Sequence, residues 1–144
     1  MARFDALEKK AGYHDELAET LTIAADHFLA YRQSTGLMTV LAGLPWFTDW
    51  GRDTMIALTG LTLATGRYQD ARDILTTFAR YVHHGMVPNM FPDEGTAPLY
   101  NTADASMWYF YAVRKYLDYT GTPEDYAFVP VSYTHLRAHE TDSY

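Results

Sequence analysis

Apolar residues first fall into a helical rhythm between His14 and Tyr31. Leu17, Leu21, Ala24, Ala25 and Phe28 recur there at spacings of three and four and share one face. Glu16, Glu19 and Asp26 lie largely off that face. Ser34-Thr35-Gly36 ends the predicted helix, glycine being the residue that closes helices in the left-handed conformation at little cost. Leu37 to Leu41 is apolar and partly β-branched, so it reads as a strand too brief to organise a sheet. Ala42 to Gly51 carries two glycines, a proline and several aromatics, and reads as a structured loop.

The next helix is expected to be capped by Asp53 or Thr54 and to run to about Thr65. Its interior is apolar almost all round (Met55, Ile56, Ala57, Leu58, Leu61, Leu63, Ala64), which predicts burial on most sides. Gly66 closes it. An amphipathic helix follows from Tyr68 to His84, with Ala71, Ile74, Leu75, Phe78 and Tyr81/Val82 on one face and Gly85 as its stop. Met86 to Ala103, rich in proline and asparagine, is a long loop of the kind that usually carries function. Asp104 is expected to cap a further helix, Ala105 to Tyr119, closed by Gly121. Pro123-Glu124-Asp125 has the form of another first turn.

Two turns repeat. Thr65-Gly66-Arg67-Tyr68-Gln69-Asp70 resembles Thr120-Gly121-Thr122-Pro123-Glu124-Asp125, and each joins a largely apolar helix to a more amphipathic one. The offset of 55 residues predicts a repeated αα-hairpin with one inner and one outer helix per unit; an ordinary helical bundle is the other reading.

Composition narrows the function classes. The chain has 144 residues, with 11 Lys+Arg against 18 Asp+Glu and a formal charge of −7, so it offers no basic surface for phosphate counterion displacement and no nucleic-acid partner is expected. It has no cysteine, which excludes disulfides, thiolate metal sites and a cysteine nucleophile. No apolar run has the length of a membrane span and Met1 to Asp5 is unlike a secretory signal, so the expectation is a soluble, cytoplasmic protein without membrane contact. Aromatics are abundant at 15%, with 12 Tyr, 7 Phe and 3 Trp, a content that suits a core or a sugar-binding cleft.

The stretch from Pro130 lacks helical periodicity, and Pro130 to Thr141 resembles the conceptual translation of a sequencing adaptor. Residues 130–144 are therefore set apart as non-native, and the pair His135 and His139 is not taken as a metal site. The remainder, 1–129, begins in mid-pattern and ends in mid-helix, as part of a longer domain would.

Two polar clusters carry candidate chemistry. Trp50-Gly51-Arg52-Asp53 places an indole, a guanidinium and a carboxylate at the mouth of an apolar helix. Trp stacks on the apolar face of a pyranose, Asp accepts from vicinal hydroxyls, and Arg donates to a hydroxyl or orients the Asp. A buried Arg52–Asp53 brace with Trp50 as core filler explains the same residues. The second cluster, Tyr100-Asn101-Thr102-Ala103-Asp104 with Trp108 one turn on, again ends a loop at a helix start. If the hairpins repeat about an axis, Asp53 and Asp104 line one cleft; helix capping alone also accounts for Asp104. Asp93-Glu94 reads as a solvated loop pair.

The run Ala42 to Leu58 (AGLPWFTDWGRDTMIAL) strongly resembles the glucosidase domain of glycogen debranching enzymes, the amylo-alpha-1,6-glucosidase family. The resemblance continues through Leu63 to Tyr68, Val87 to Asp93 and Tyr100 to Trp108, departing at Leu44 and Ala103. It implies an all-α fold, an (α/α)6 toroid of which this chain holds about two to two and a half of six hairpins. It also implies an α-glucan partner (glycogen or branched maltodextrin), no cofactor and no metal. Net inversion at an α-1,6 branch needs an acid and a base roughly 6.5–9.5 Å apart. The resemblance places both beyond this fragment and leaves Trp50, Arg52, Asp53, Asn101, Asp104 and Trp108 as glucose-holding residues. A glucoamylase-like or trehalase-like toroid, or a non-catalytic glycan-binding fragment, are the competing readings.

Overall fold

A computed structural model describes residues 1–43, 49–90 and 97–127. Helix α1 spans Ala2–Ala11 and α2 spans Glu16–Asp26; a hairpin of β1 (Leu29–Arg32) and β2 (Leu37–Val40) follows. Helix α3 covers Gly51–Leu58 and continues as a π turn over Thr59–Leu63, α4 covers Tyr68–Arg80, and α5 covers Asp104–Thr120. A short helical turn occupies 123–127. The chain is mainly helical, as the repeated hairpins led us to expect, and among the described residues the two-stranded hairpin is the only sheet. No helix among them is long and apolar enough to cross a membrane.

Helix α1 was not anticipated. It buries none of its own residues, so its sequence carries no strong apolar stripe. It is held from outside by the Arg3–Asp26 ion pair at 2.6 Å and by contact with Gly66, where a Cβ atom would lie 2.6 Å from the Lys10 carbonyl oxygen.

The helix expected from His14 to Tyr31 stops at Asp26, because that carboxylate is buried and doubly paired. Arg3 reaches one of its oxygens and Arg67, on the far turn, the other, each at 2.6 Å. The chain then turns into β1, which pairs antiparallel with β2 in the register Leu29 opposite Val40 and Arg32 opposite Leu37. The expected face of α2 is also displaced. Leu17 and Leu21 are exposed (68% and 59%), and the helix packs through Thr22, Ala25 and Asp26. Thr22 tolerates burial because its hydroxyl donates to the Ala18 carbonyl at 2.8 Å.

Helix α3 packs along α5, and α4 packs against α5, β2 and the π turn. Their shared core holds Met55, Leu58, Leu63, Ile74, Leu75, Phe78, Tyr109 and Val113. The predicted face of α4 is the one buried, but the helix ends at Arg80 rather than His84. His83 and Met86 exchange backbone hydrogen bonds around a tight turn with His84 at φ +49°, and this turn replaces the last helical turn. Helix α3 is not covered all round: Ile56 is 47% exposed.

The 55-residue echo is real in the backbone. Gly66 and Gly121 both adopt the left-handed conformation, at φ +73° and +60°. In the first copy Arg67 Nε donates to Asp70 at 2.5 Å. In the second, the Thr122 backbone and hydroxyl both donate to Asp125, which returns a backbone bond to the Thr122 hydroxyl. That reciprocal pair is a capping box, with Asp at the position where Glu or Gln is common.

Candidate functional site

The start of α3 is built by a residue far away in the chain. The backbone N–H of Gly51 donates to the Asn89 carbonyl at 2.7 Å, and that of Arg52 donates to the Asn89 side-chain Oδ1 at 3.3 Å. These are two of the orphan donors of a helix N-terminus. Neither Asp53 nor Thr54 is the cap: Trp50 occupies that position without a side-chain bond, and Asp53 sits within the first turn. The approach of the two backbones demands glycine at position 51, where a Cβ atom would lie 2.2 Å from the Pro88 carbonyl oxygen.

Asn89 is held from its other side by a bond from its backbone N–H to the Leu99 carbonyl at 2.8 Å, and Leu99 returns a bond to Met90 at 3.1 Å. Its Nδ2 donates to Asn101 Oδ1 at 3.1 Å. Tyr100 anchors the same strand-like segment by donating its hydroxyl to the Tyr81 carbonyl at 2.6 Å. Burial, with a smaller contribution from neighbouring Tyr81, raises the Tyr100 phenol above its ordinary pKa of 10.0, so it stays a neutral donor. One buried asparagine thus joins the start of α3 to the segment leading into α5. The motif Val87-Pro88-Asn89 pointed to a family, but nothing in its spacing marked Asn89 as a hub.

At the same two helix starts, Arg52 Nη1 lies 3.4 Å from Asp104 Oδ2, and both side chains are about half exposed, at 48% and 49%. This corrects two expectations. Arg52 is not a buried brace and pairs with Asp104 rather than with Asp53. Asp104 is not a cap either, since Ala103 takes that position without a side-chain bond and Asp104 is the first helical residue. An ion pair this exposed adds at most about 1 kcal/mol to stability. Asp53 is exposed one residue further on and faces an open groove of about 350 Å³, walled by Phe28, Val40, Leu41, Ile56 and Leu61.

The structure therefore brings Arg52, Asn101 and Asp104 together at the adjoining starts of α3 and α5, with Asp53 on the first turn of α3 facing the apolar groove. Trp50 bridges to Met90 through the backbone. Trp108 packs partly against the core and stands edge-on to Tyr111 at 5.6 Å, one turn beyond Asp104 on the same helix. Leu44 to Thr48, with Trp46, and the Asp93-Glu94 pair lie outside the described residues, as do His135 and His139.

A second residue that sequence reasoning passed over is Asp49, which is 1% exposed. Both its oxygens take a bond from Arg32 Nη1, and Thr39 donates to it at 3.1 Å. It ties the chain entering α3 to the hairpin. The only signal was its placement, a lone carboxylate between aromatic residues.

The chain is thus a mainly helical domain whose charged and amide side chains gather at neighbouring helix starts. The family model described as amylo-alpha-1,6-glucosidase matches residues 23–139, and the chain belongs to that family. The match ends ten residues past Val129, within the stretch set apart above. The chain is similar to the glycogen debranching enzyme of Saccharomyces cerevisiae (strain ATCC 204508 / S288c), at 30% identity over 122 residues. That alignment covers 77% of this chain and 8% of the yeast protein, so the chain spans a small part of the length of its curated relative.

Proposed function

We propose that this chain is the early, glucan-holding part of an inverting α-1,6-glucosidase that acts at branch points of an α-glucan. The acid and base come from segments beyond it. The observation that carries this reading is the Arg52–Asp104 pair, which sets opposite charges, half exposed, at the starts of two packed helices. Charges kept there at little gain in stability are well placed to serve a ligand. A terminal glucose offers vicinal hydroxyls, which accept from Arg52 and donate to Asp104 and Asp53. The apolar wall beside Asp53 suits the carbon face of a sugar. Family membership supports the substrate class.

Asp53 is a holding group in this reading rather than the general acid. The acid and base belong to segments beyond this chain, and Asp53 is exposed on the first turn of α3, where it can accept from a sugar hydroxyl.

The test is glucose release by the complete enzyme from a branched limit dextrin, from linear maltosides and from trehalose, with the first-formed anomer read by NMR. Release of β-glucose from the branched substrate, with little from the others and none by the 144-residue chain alone, is expected. Preference for maltosides or trehalose, or α-glucose as first product, contradicts it.

A further inference from the structure

We infer that Asn89 is a positioning residue that fixes which way round the Asn101 amide faces, so that Asn101 presents its NH2 group to the ligand. This rests on the glucan-holding role proposed above. The polarity is dictated from the backbone outward. The Arg52 backbone N–H is a donor only, and it points at Asn89. The Asn89 atom facing it must therefore be the carbonyl oxygen, Oδ1. That leaves Asn89 Nδ2 to face Asn101, and the Asn101 atom that receives it must be Oδ1. The Asn101 carbonyl is thus engaged from the protein side, and its Nδ2 carries two N–H donors with no acceptor among the described residues.

Asn89 is 3% exposed, so water does not compete for its amide, whereas Asn101 is exposed. A buried amide fully bonded on both ends is a rigid relay; an exposed one alone would turn freely between its two orientations. The relay converts the fixed direction of a helix-start N–H into a fixed donor at the surface of the site. The adjoining helix starts then carry two kinds of donor, Arg52 and Asn101 Nδ2, against the acceptor Asp104. That set matches the alternating donor and acceptor capacity of vicinal sugar hydroxyls.

The test uses the complete enzyme acting on a branched dextrin, with Asn101→Asp and Asn89→Asp compared singly and Asn89→Asp also made in an Asn101→Ala background. Asn101→Asp keeps an oxygen to receive Asn89 Nδ2 but turns the outward donor into an acceptor. We expect KM to rise about tenfold or more, kcat to change much less, and the melting temperature to stay near that of the wild type. Asn89→Asp offers no donor to Asn101, so that amide reverses, and a similar rise in KM is expected. In an Asn101→Ala background, which lacks the amide altogether, Asn89→Asp should raise KM no further, because Asn89 acts through Asn101. An unchanged KM in Asn101→Asp overturns the inference even if Asn89→Asp fails to fold, as does a further rise in KM when Asn89→Asp is added to Asn101→Ala. A wild-type enzyme that neither binds nor cleaves the dextrin overturns the glucan reading itself, and this inference with it.

Discussion

Arg52 and Asp104 are 52 residues apart in the chain and meet at 3.4 Å, joining the first turn of α3 to the first turn of α5. Inner-helix starts that face one another at one end of the fold are what a repeated hairpin with a common axis requires. The buried asparagine between them, Asn89, makes the same connection through hydrogen bonds. Charge and backbone therefore register the two helices independently.

Gly51→Ala tests the backbone part of that connection. The added Cβ has 2.2 Å to the Pro88 carbonyl oxygen, and backbone, unlike a flexible side chain, does not step aside. Overpacking of this kind costs about 1–3 kcal/mol. In the complete enzyme the amides of Gly51 and Arg52 should lose protection in hydrogen exchange, and affinity for glucan should fall with them. Full protection in the alanine variant would mean that the two backbones are further apart than the fold described above allows.

Asp49 makes a second, separate test. Its conversion to an amide takes the carboxylate away from Arg32, itself only 17% exposed. Asp49→Asn is expected to destabilise by about 1.5–3 kcal/mol, the range for hydrogen bonds to charged groups. Replacing both residues by apolar ones of similar volume should recover much of that loss. Urea unfolding of the single and double variants checks both statements.

The Tyr116–Asp125 contact predicts stability losses at both ends of the pH scale. Burial pulls the Asp125 carboxyl upward, but bonds from the Thr122 side chain, Tyr116 and the Thr122 backbone outweigh it and hold it below its usual 3.8. An acid with a lowered folded pKa stabilises above its unfolded value, and the gain is lost as pH falls through the folded one. The acid loss should therefore set in below the ordinary carboxylate value. Burial, then the bond to Asp125, pushes Tyr116 from 10.0 up to about 12. Its contribution is complete below pH 10.0 and is lost as pH rises toward about 12. Tyr116→Phe should flatten the alkaline limb of the stability profile, and Asp125→Asn the acid limb. Profiles with unaltered limbs in these variants would show that the contact does not set the pH response.

How far the sequence carried these conclusions depends on the range of the interactions. The Gly66 and Gly121 turns and the buried face of α4 were legible because glycine conformation and helical periodicity act within a few residues. The strand β1 was not, because Leu29 and Ala30 continue a helical spacing, and the break comes from Asp26 bonding to Arg3 and Arg67, 23 and 41 residues away. The caps on α3 and α5 were misread for the same reason. Asp53 and Asp104 stand where local capping rules place a cap, yet the start of α3 is satisfied by Asn89, 37 residues downstream. In the candidate site the charged positions were legible from residue type, and their partners were not.

Asp53 gives the most direct measurement of the central claim, since it is exposed on the first turn of α3 and among the described residues has no ion-pair partner to lose. The measurement is kcat and KM of Asp53→Asn in the complete enzyme on a branched dextrin. A group that holds the reacting glucose acts in the ground state and more strongly in the transition state, where charge and shape at that sugar change. A raised KM together with a lowered kcat, at unchanged melting temperature, is the predicted result; wild-type values of both constants would contradict it.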